Sequence, residues 1–336
     1  MAQSKEYKHS RRMNALSYAL IATIVLIPAL ALMYSYSFGP VEKRLQLNEG
    51  FVVSPDDTLL SIAEHLRDEG FIKNQWAFLF ALQSAGGREQ VRAGGYELSS
   101  SMDMWTIAEV LTHSPYLVWI EIPPGLRKEQ IADRLQTALS WSGGERTRWI
   151  TEDSLFSGDV PEGVYFPDTY LIPSDQPPEK VARRMQDRFR DEFAPYALEA
   201  AQKDVPWTDV LTIASMIERE AAGPHDMELI AGIIWNRLDN DMPLGIDATL
   251  QYIRGEEGNW WPTPRSEDKY LESPYNTYFT PGLPPAAIAN PSLDSIKAVL
   301  NPEATTCLYY LHDYRGRIHC SPNYSGHVAN IDRYLR

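Results

Sequence analysis

A chain of 336 residues that is 44% hydrophobic, with 24 Pro and 20 Gly, is long enough for two or three domains with real cores and many turns. The formal net charge is −14, unevenly placed: Lys5, Lys8, Arg11 and Arg12 against Glu6 give the first 12 residues +3, which leaves −17 on the remainder. A surface that acidic repels phosphate backbones and excludes nucleic acid as a partner.

The first expected element is "ALSYALIATIVLIPALALMYSYSF", Ala15 to Phe38, an uncharged apolar run of the length that spans a bilayer, about 20 residues. The basic flank before it places the N-terminus in the cytoplasm and the rest outside. The reading is a cytoplasmic tail (1–14), a membrane helix (15–34) and a linker (35–48). A cleaved signal peptide is the alternative, because Ala29-Leu30-Ala31 mimics an A-x-A site, but the run exceeds a signal h-region. "EGFVVSPDDTLLSIAEHLRDEGFI" (Glu49 to Ile72) reads as strand, turn and helix, with Leu59, Ile62, Ala63 and Leu66 on one face, Asp57 as N-cap and Gly70 as the stop. Its Ile62-Ala63-Glu64-His65-Leu66 phrase is echoed at Ile107–Leu111 and Ile131–Leu135, in each case after a strand-like or turn segment. Repeated strand–helix modules and chance similarity both remain open. The proline- and aromatic-rich stretch Pro161 to Lys180 reads as a domain junction before the helix "VARRMQDRFRDEF".

"LTIASMIEREAAG", Leu211 to Gly223, reads as one amphipathic helix. At about 100° per residue, Val210, Leu211, Ile213, Ala214, Ile217, Ala221 and Ala222 cover one side, and Thr212, Ser215 and Arg219 the other. Glu220 falls at the border, as a solvated charge does. Glu218 falls inside the apolar arc, where a carboxylate must be paired, protonated or turned to a cleft. A second apolar helix, Met227 to Leu238, precedes a loop-rich region from Asn240 to Pro291, and that much ordered loop is usually functional. Within it, Asp247 and Thr249 follow a turn, and Tyr275, Asn276, Thr277 and Tyr278 combine amides, hydroxyls and aromatic faces suited to a polyhydroxyl ligand. Trp260 and Trp261 suit either stacking on sugar rings or packing against the second apolar helix.

Near the C-terminus a hairpin turning at Tyr314-Arg315-Gly316 brings Cys307 and Cys320 nearly opposite each other, as a disulfide or as two buried thiols. Cys307, His312, His319, Cys320 and His327 match no zinc spacing. There is no H-E-x-x-H, P-loop, G-x-G-x-x-G or G-x-S-x-G, so no metal and no cofactor is expected.

In order, "AGGYEL", "PEGVYFPDTY", "ASMIEREA", "IAGIIWNRL", "MPLGIDAT", "SPYNTYFTPGLPPAAIANP" and "AVLNP" resemble the endolytic murein transglycosylase MltG (YceG-like) family, over nearly the whole chain from Phe51. The sequence departs from the family pattern at Gly245 and Ala248 beside the aspartate, and at Ala286 and Ser292, where glycines are common. The resemblance implies an α+β, membrane-anchored periplasmic enzyme: a LysM-like α/β subdomain (49–115), a connecting α/β region (116–200) and a mixed α+β catalytic domain (201–336) with long cleft-forming loops. It implies cleavage of the β-1,4 bond between N-acetylmuramic acid and N-acetylglucosamine in nascent glycan strands, leaving 1,6-anhydro ends, near the inner membrane. Peptidoglycan synthases of the elongation or division machinery are the implied partners. The first Glu of the I-x-E-x-E-A phrase, Glu218, is the implied acid and base, a group that must exchange a proton near ambient pH. Asp247, Thr249, Tyr275, Asn276 and Tyr278 are the expected substrate contacts. A hydrolytic muramidase using Glu218 and Asp247, and a wall-binding scaffold without catalysis, are the rival readings.

Overall fold

The computed structural model describes residues 3–42, 49–87, 91–152 and 162–336. Positions 43–48 of the expected linker, and Pro161 at the start of the expected junction, lie outside them. The chain divides into two compact units, Met1–Trp119 and Ile120–Arg336.

In the first unit a single helix, α1 (Gln3–Phe38), contains Leu20–Phe38, a stretch long and apolar enough to cross a membrane by length and composition. Strand β1 (Glu49–Val53) turns Phe51 and Val53 inward by the two-residue strand period. Helix α2 (Leu59–Asp68) packs Ile62, Ala63 and Leu66 onto them, and Gly70 ends it at φ +82°. The N-cap is Thr58 and not Asp57: the Thr58 hydroxyl accepts from Ser61 N, and Ser61 Oγ accepts from Thr58 N in a capping box. Asp57 instead accepts from Ser54 N and Ser61 Oγ. Helices α3 (Gln75–Ser84) and α4 (Met104–Thr112) complete a core around Phe51, Leu66, Phe78, Leu82, Leu98 and Leu111. β2 (Gly94–Leu98) runs antiparallel to β1 and to the start of β3 (Leu117–Glu121). The two glycines of "AGGYEL" are steric: a Cβ at Gly94 or Gly95 would lie 2.4 or 2.5 Å from Leu117.

The second unit opens beside β4 (Thr169–Pro173), where Ile122 N donates to Asp168 O. Helices α5 (Lys128–Leu139), α6 (Gly143–Glu152) and α7 (Pro178–Gln202) follow the strands. α8 (Trp207–Glu220) packs against α7, α9 (Pro224–Asp239), α10 (Asp247–Arg254) and α11 (Leu293–Leu300). Enclosure from so many sides leaves α8 without the polar face its period suggested. Thr212 and Ser215 are buried and turn their hydroxyls back onto Thr208 O and Thr212 O. The expected loop region contains α10 and a 3-10 turn, Ser266–Tyr270. The C-terminal hairpin joins β5 (Tyr309–His312) to β6 (Ile318–Ser321) through Gly316 at φ +72°, before α12 (Tyr324–Tyr334). Cys307 and Cys320 form a disulfide, Cα atoms 5.8 Å apart.

Candidate functional site

Glu218 stands in the last turn of α8, half-buried. Its Oε2 accepts three hydrogen bonds: from Ser292 N at 2.9 Å, Ser292 Oγ at 2.6 Å and Ser295 Oγ at 2.8 Å. Ser292 is the N-cap of α11, so the positive end of that helix dipole meets the carboxyl group. Among the described residues no hydrogen bond reaches Oε1. The neighbouring backbone is that of Gly125, in the turn between β3 and α5 at φ +77°; a Cβ there would lie 3.6 Å from Glu218 Cγ, in ordinary van der Waals contact. Among the described residues no arginine forms an ion pair in contact with the carboxylate: the Arg219 guanidinium lies over the Trp261 ring, 4.0 Å from its centre. The surroundings are thus polar donors on one oxygen, and not the bare apolar stripe that periodicity suggested.

Glu220 is the larger departure. Its carboxyl is enclosed where a solvated charge was expected, with Oε2 accepting from Tyr310 Oη at 3.0 Å and Oε1 from Ala248 N at 3.4 Å. Burial pushes it above the usual carboxylate range, the Tyr310 hydroxyl and Ala248 amide opposing and Asp247 adding to the rise. Burial also raises Tyr310, with Glu220 adding to the effect. The enclosing groups come from β5 and α10, which helical periodicity within α8 cannot register. Asp247 begins α10, exposed, with its Oδ1 2.6 Å from the Tyr278 hydroxyl that donates to it. Burial and then Asp247 raise Tyr278 in turn. Edge-on to Tyr310 at 6.0 Å, His312 has its Nε2 3.1 Å from the buried Asp226.

The other expected contact residues divide by burial. Tyr275 is half-buried against the Tyr252 ring, centroids 5.0 Å apart. Asn276 is fully buried; its Nδ2 donates to Lys269 O and Leu271 O while its Oδ1 accepts from Tyr278 N. Thr249, also fully buried, donates to Ile246 O and meets Thr277 Oγ1 at 3.0 Å. These two spend their polar atoms on the loop's own backbone and set its shape. Trp260 and Trp261 meet groups of the 125–130 region: the Arg127 guanidinium covers Trp260 at 5.0 Å, and Trp261 Nε1 donates to Gln130 Oε1 at 2.8 Å.

A bracing centre missed in the sequence joins distant loops beneath the site. Asn290 Oδ1 accepts from Gly163 N and Tyr165 N, and its Nδ2 donates to Leu126 O and Glu162 Oε2. Glu162 is buried and also accepts from Lys128 N; burial, with Glu129 nearby, pushes its carboxyl up to about 8. The one local signal for any of these partners was the Ser-x-x-Ser phrase at Ser292, legible as a helix cap but silent about Glu218. His319 reaches Asp313. Among the described residues no three His, Cys, Asp or Glu side chains converge as metal ligands.

Known proteins resemble this chain over most of its length. A protein of Bacillus subtilis (strain 168) named endolytic murein transglycosylase is 28% identical over 329 residues, covering 91% of this chain and 90% of that protein. One of the same name from Streptococcus pneumoniae (serotype 2, strain D39) is 27% identical over 312 residues, covering 82% of this chain and 56% of that protein. The crystal structure of a yceG-like protein from Listeria monocytogenes superposes with a TM-score of 0.58 at 26% identity, covering 85% of this chain and 99% of that one. The YceG-like family matches residues 51–333, and the chain belongs to that family.

Proposed function

We propose that this protein is an endolytic lytic transglycosylase that cuts the β-1,4 bond between N-acetylmuramic acid and N-acetylglucosamine in nascent peptidoglycan and leaves 1,6-anhydro ends. Glu218 acts first as acid, protonating the leaving oxygen. It then acts as base, taking the proton of the C6 hydroxyl of the same muramic acid as that oxygen closes on the anomeric carbon. The intramolecular nucleophile removes the need for the second carboxylate of the two-carboxylate glycosidases. The observation that carries this reading is the carboxyl of Glu218: three donors fix Oε2, while Oε1 accepts no hydrogen bond among the described residues. That is a held acid with one oxygen left for exchange. The names of the B. subtilis and S. pneumoniae relatives support the substrate.

In this reading Asp247, Tyr275 and Tyr278 orient the sugar, with Asn276 and Thr249 as the frame of their loop. The part from β1 through α4, residues 49–115, is the LysM-like subdomain. α1 anchors the chain in the inner membrane with its basic end cytoplasmic and the catalytic region periplasmic, within reach of peptidoglycan synthases. The test is Glu218→Gln with purified glycan strands and product mass. The amide keeps the shape and loses the proton, so we expect a folded protein with anhydro-end release down by on the order of 10²–10⁴-fold. Parental rates in this variant refute the assignment. Products heavier by one water from the parent protein refute the lyase reading in favour of a hydrolytic muramidase. Wall binding without release by either form favours a scaffold.

A further inference from the structure

Helix α3, "QWAFLFALQS", is apolar nearly all round, although only one of its sides faces the core. Ala77, Phe78, Ala81 and Leu82 are buried, while Trp76 and Phe80, one turn apart on the outer side, are 66% and 61% exposed. A helix on the surface of a protein in water carries a polar outer face; an apolar one calls for a second apolar medium. That face lies beside the end of α1. Phe38, the last residue of α1, stacks on Trp105 with centroids 5.5 Å apart and meets Phe80 edge-on at 6.2 Å, and Trp105 Nε1 donates to Tyr34 Oη at 3.0 Å. Just beyond, Glu42 N donates to Ser100 O, tying the chain to the unit. Tyr18 and Tyr36 on α1 are exposed and eighteen residues apart, roughly 27 Å along a helix, close to the thickness of a bilayer core. Rings at those two levels sit where aromatic belts meet lipid headgroups. The Phe38 end of α1 is therefore at the water boundary, and Phe80 is in ring contact with it.

We propose that the outer face of α3, Trp76 and Phe80, is a second membrane contact that seats the Met1–Trp119 unit in the headgroup layer beside the exit of α1. The proposal rests on α1 being a membrane anchor. Indole and phenyl groups suit that layer, where apolar bodies lie beside polar heads.

The full chain has both cysteines in the Cys307–Cys320 disulfide, so one introduced cysteine takes a fluorophore selectively. Phe80→Cys, Trp76→Cys and a control, Glu97→Cys on an exposed position of β2, are labelled and reconstituted in phosphatidylcholine–phosphatidylglycerol vesicles. Some of the vesicles carry a quencher near the headgroup. We expect quenching at 80 and 76 at least threefold stronger than at 97, in protein that floats with the vesicles. Floating protein with equal, weak quenching at all three sites overturns the proposal and leaves the anchor standing. Protein that does not float refutes the anchor itself. Label–label self-quenching at 80, without lipid quenching, assigns the face to a second copy of the chain and also overturns the proposal.

Discussion

Ser295→Ala is the sharpest probe of the candidate site, because it changes one oxygen and nothing of the fold's shape. Ser295 is fully buried, and its hydroxyl lies 2.8 Å from Glu218 Oε2 and 3.0 Å from Ser292 O. A hydroxyl has one proton, so donation to the carboxylate and donation to the carbonyl exclude each other. A hydrogen bond to a charged group contributes about 1.5–3 kcal/mol. Competition from Ser292 O and the two donors that remain, Ser292 N and Oγ, bring the expected loss to about 1–2 kcal/mol. If that bond holds the acid in its reactive position, the loss appears in kcat, as a reduction of roughly 5–30-fold, with KM little changed. Ser292→Ala is a poorer probe, since it also removes the N-cap of α11 and costs about 1 kcal/mol of folding stability. The assay is the initial rate of anhydro-end release from purified glycan at saturating substrate, with a thermal melt as the control for folding. A Ser295→Ala protein that matches the parent in kcat, while Glu218→Gln is inactive, refutes the claim that the α11 serines position the acid. A fall in KM-dependent rates alone refutes it equally, placing the serine in substrate binding.

Tyr310→Phe strips Glu220 of its hydroxyl donor and leaves, among the described residues, the Ala248 amide. The folded carboxyl is raised relative to the unfolded chain, so the native state holds the extra proton and the stability tied to Glu220 falls as pH rises above the ordinary carboxylate range. We expect urea unfolding to show a larger loss for Tyr310→Phe at pH 8, about 2 kcal/mol, than at about pH 4, below the ordinary carboxylate range, where the raised carboxyl keeps its proton; equal losses refute the link between the Tyr310 hydroxyl and the charge on Glu220. Reducing the Cys307–Cys320 disulfide opens a short loop, sequence separation 13, and should lower stability by about 3 kcal/mol, read as a lower urea midpoint; an unchanged midpoint refutes it. Asn290→Ala removes four hydrogen bonds inside the second unit and strands the Gly163 and Tyr165 amides; we expect a loss of about 3–5 kcal/mol, and a melt within a degree or two of the parent contradicts the bracing role.

The sequence by itself determined whatever depends on neighbours along the chain. The apolar run of α1, the Gly70 stop of α2, the turn at Gly316 and the existence of α8 and α9 were legible because helix period, left-handed glycine and hairpin chemistry act over a few residues. The cap of α2 shows the limit of that resolution: Asp57 and Thr58 both suit the position, and only the backbone geometry chooses Thr58. Burial and partnership were decided by the tertiary structure. Glu218 meets Ser292 and Ser295 across more than seventy residues, and Glu220 meets Tyr310 across ninety. Periodicity within α8 ranked the two glutamates by the company of their own helix. The packing of α10, α11 and β5 against that helix enclosed the one that looked solvated and gave the other its donors. Such pairings leave no local trace, because a hydrogen bond depends on distance in space, and the sequence records only distance along the chain.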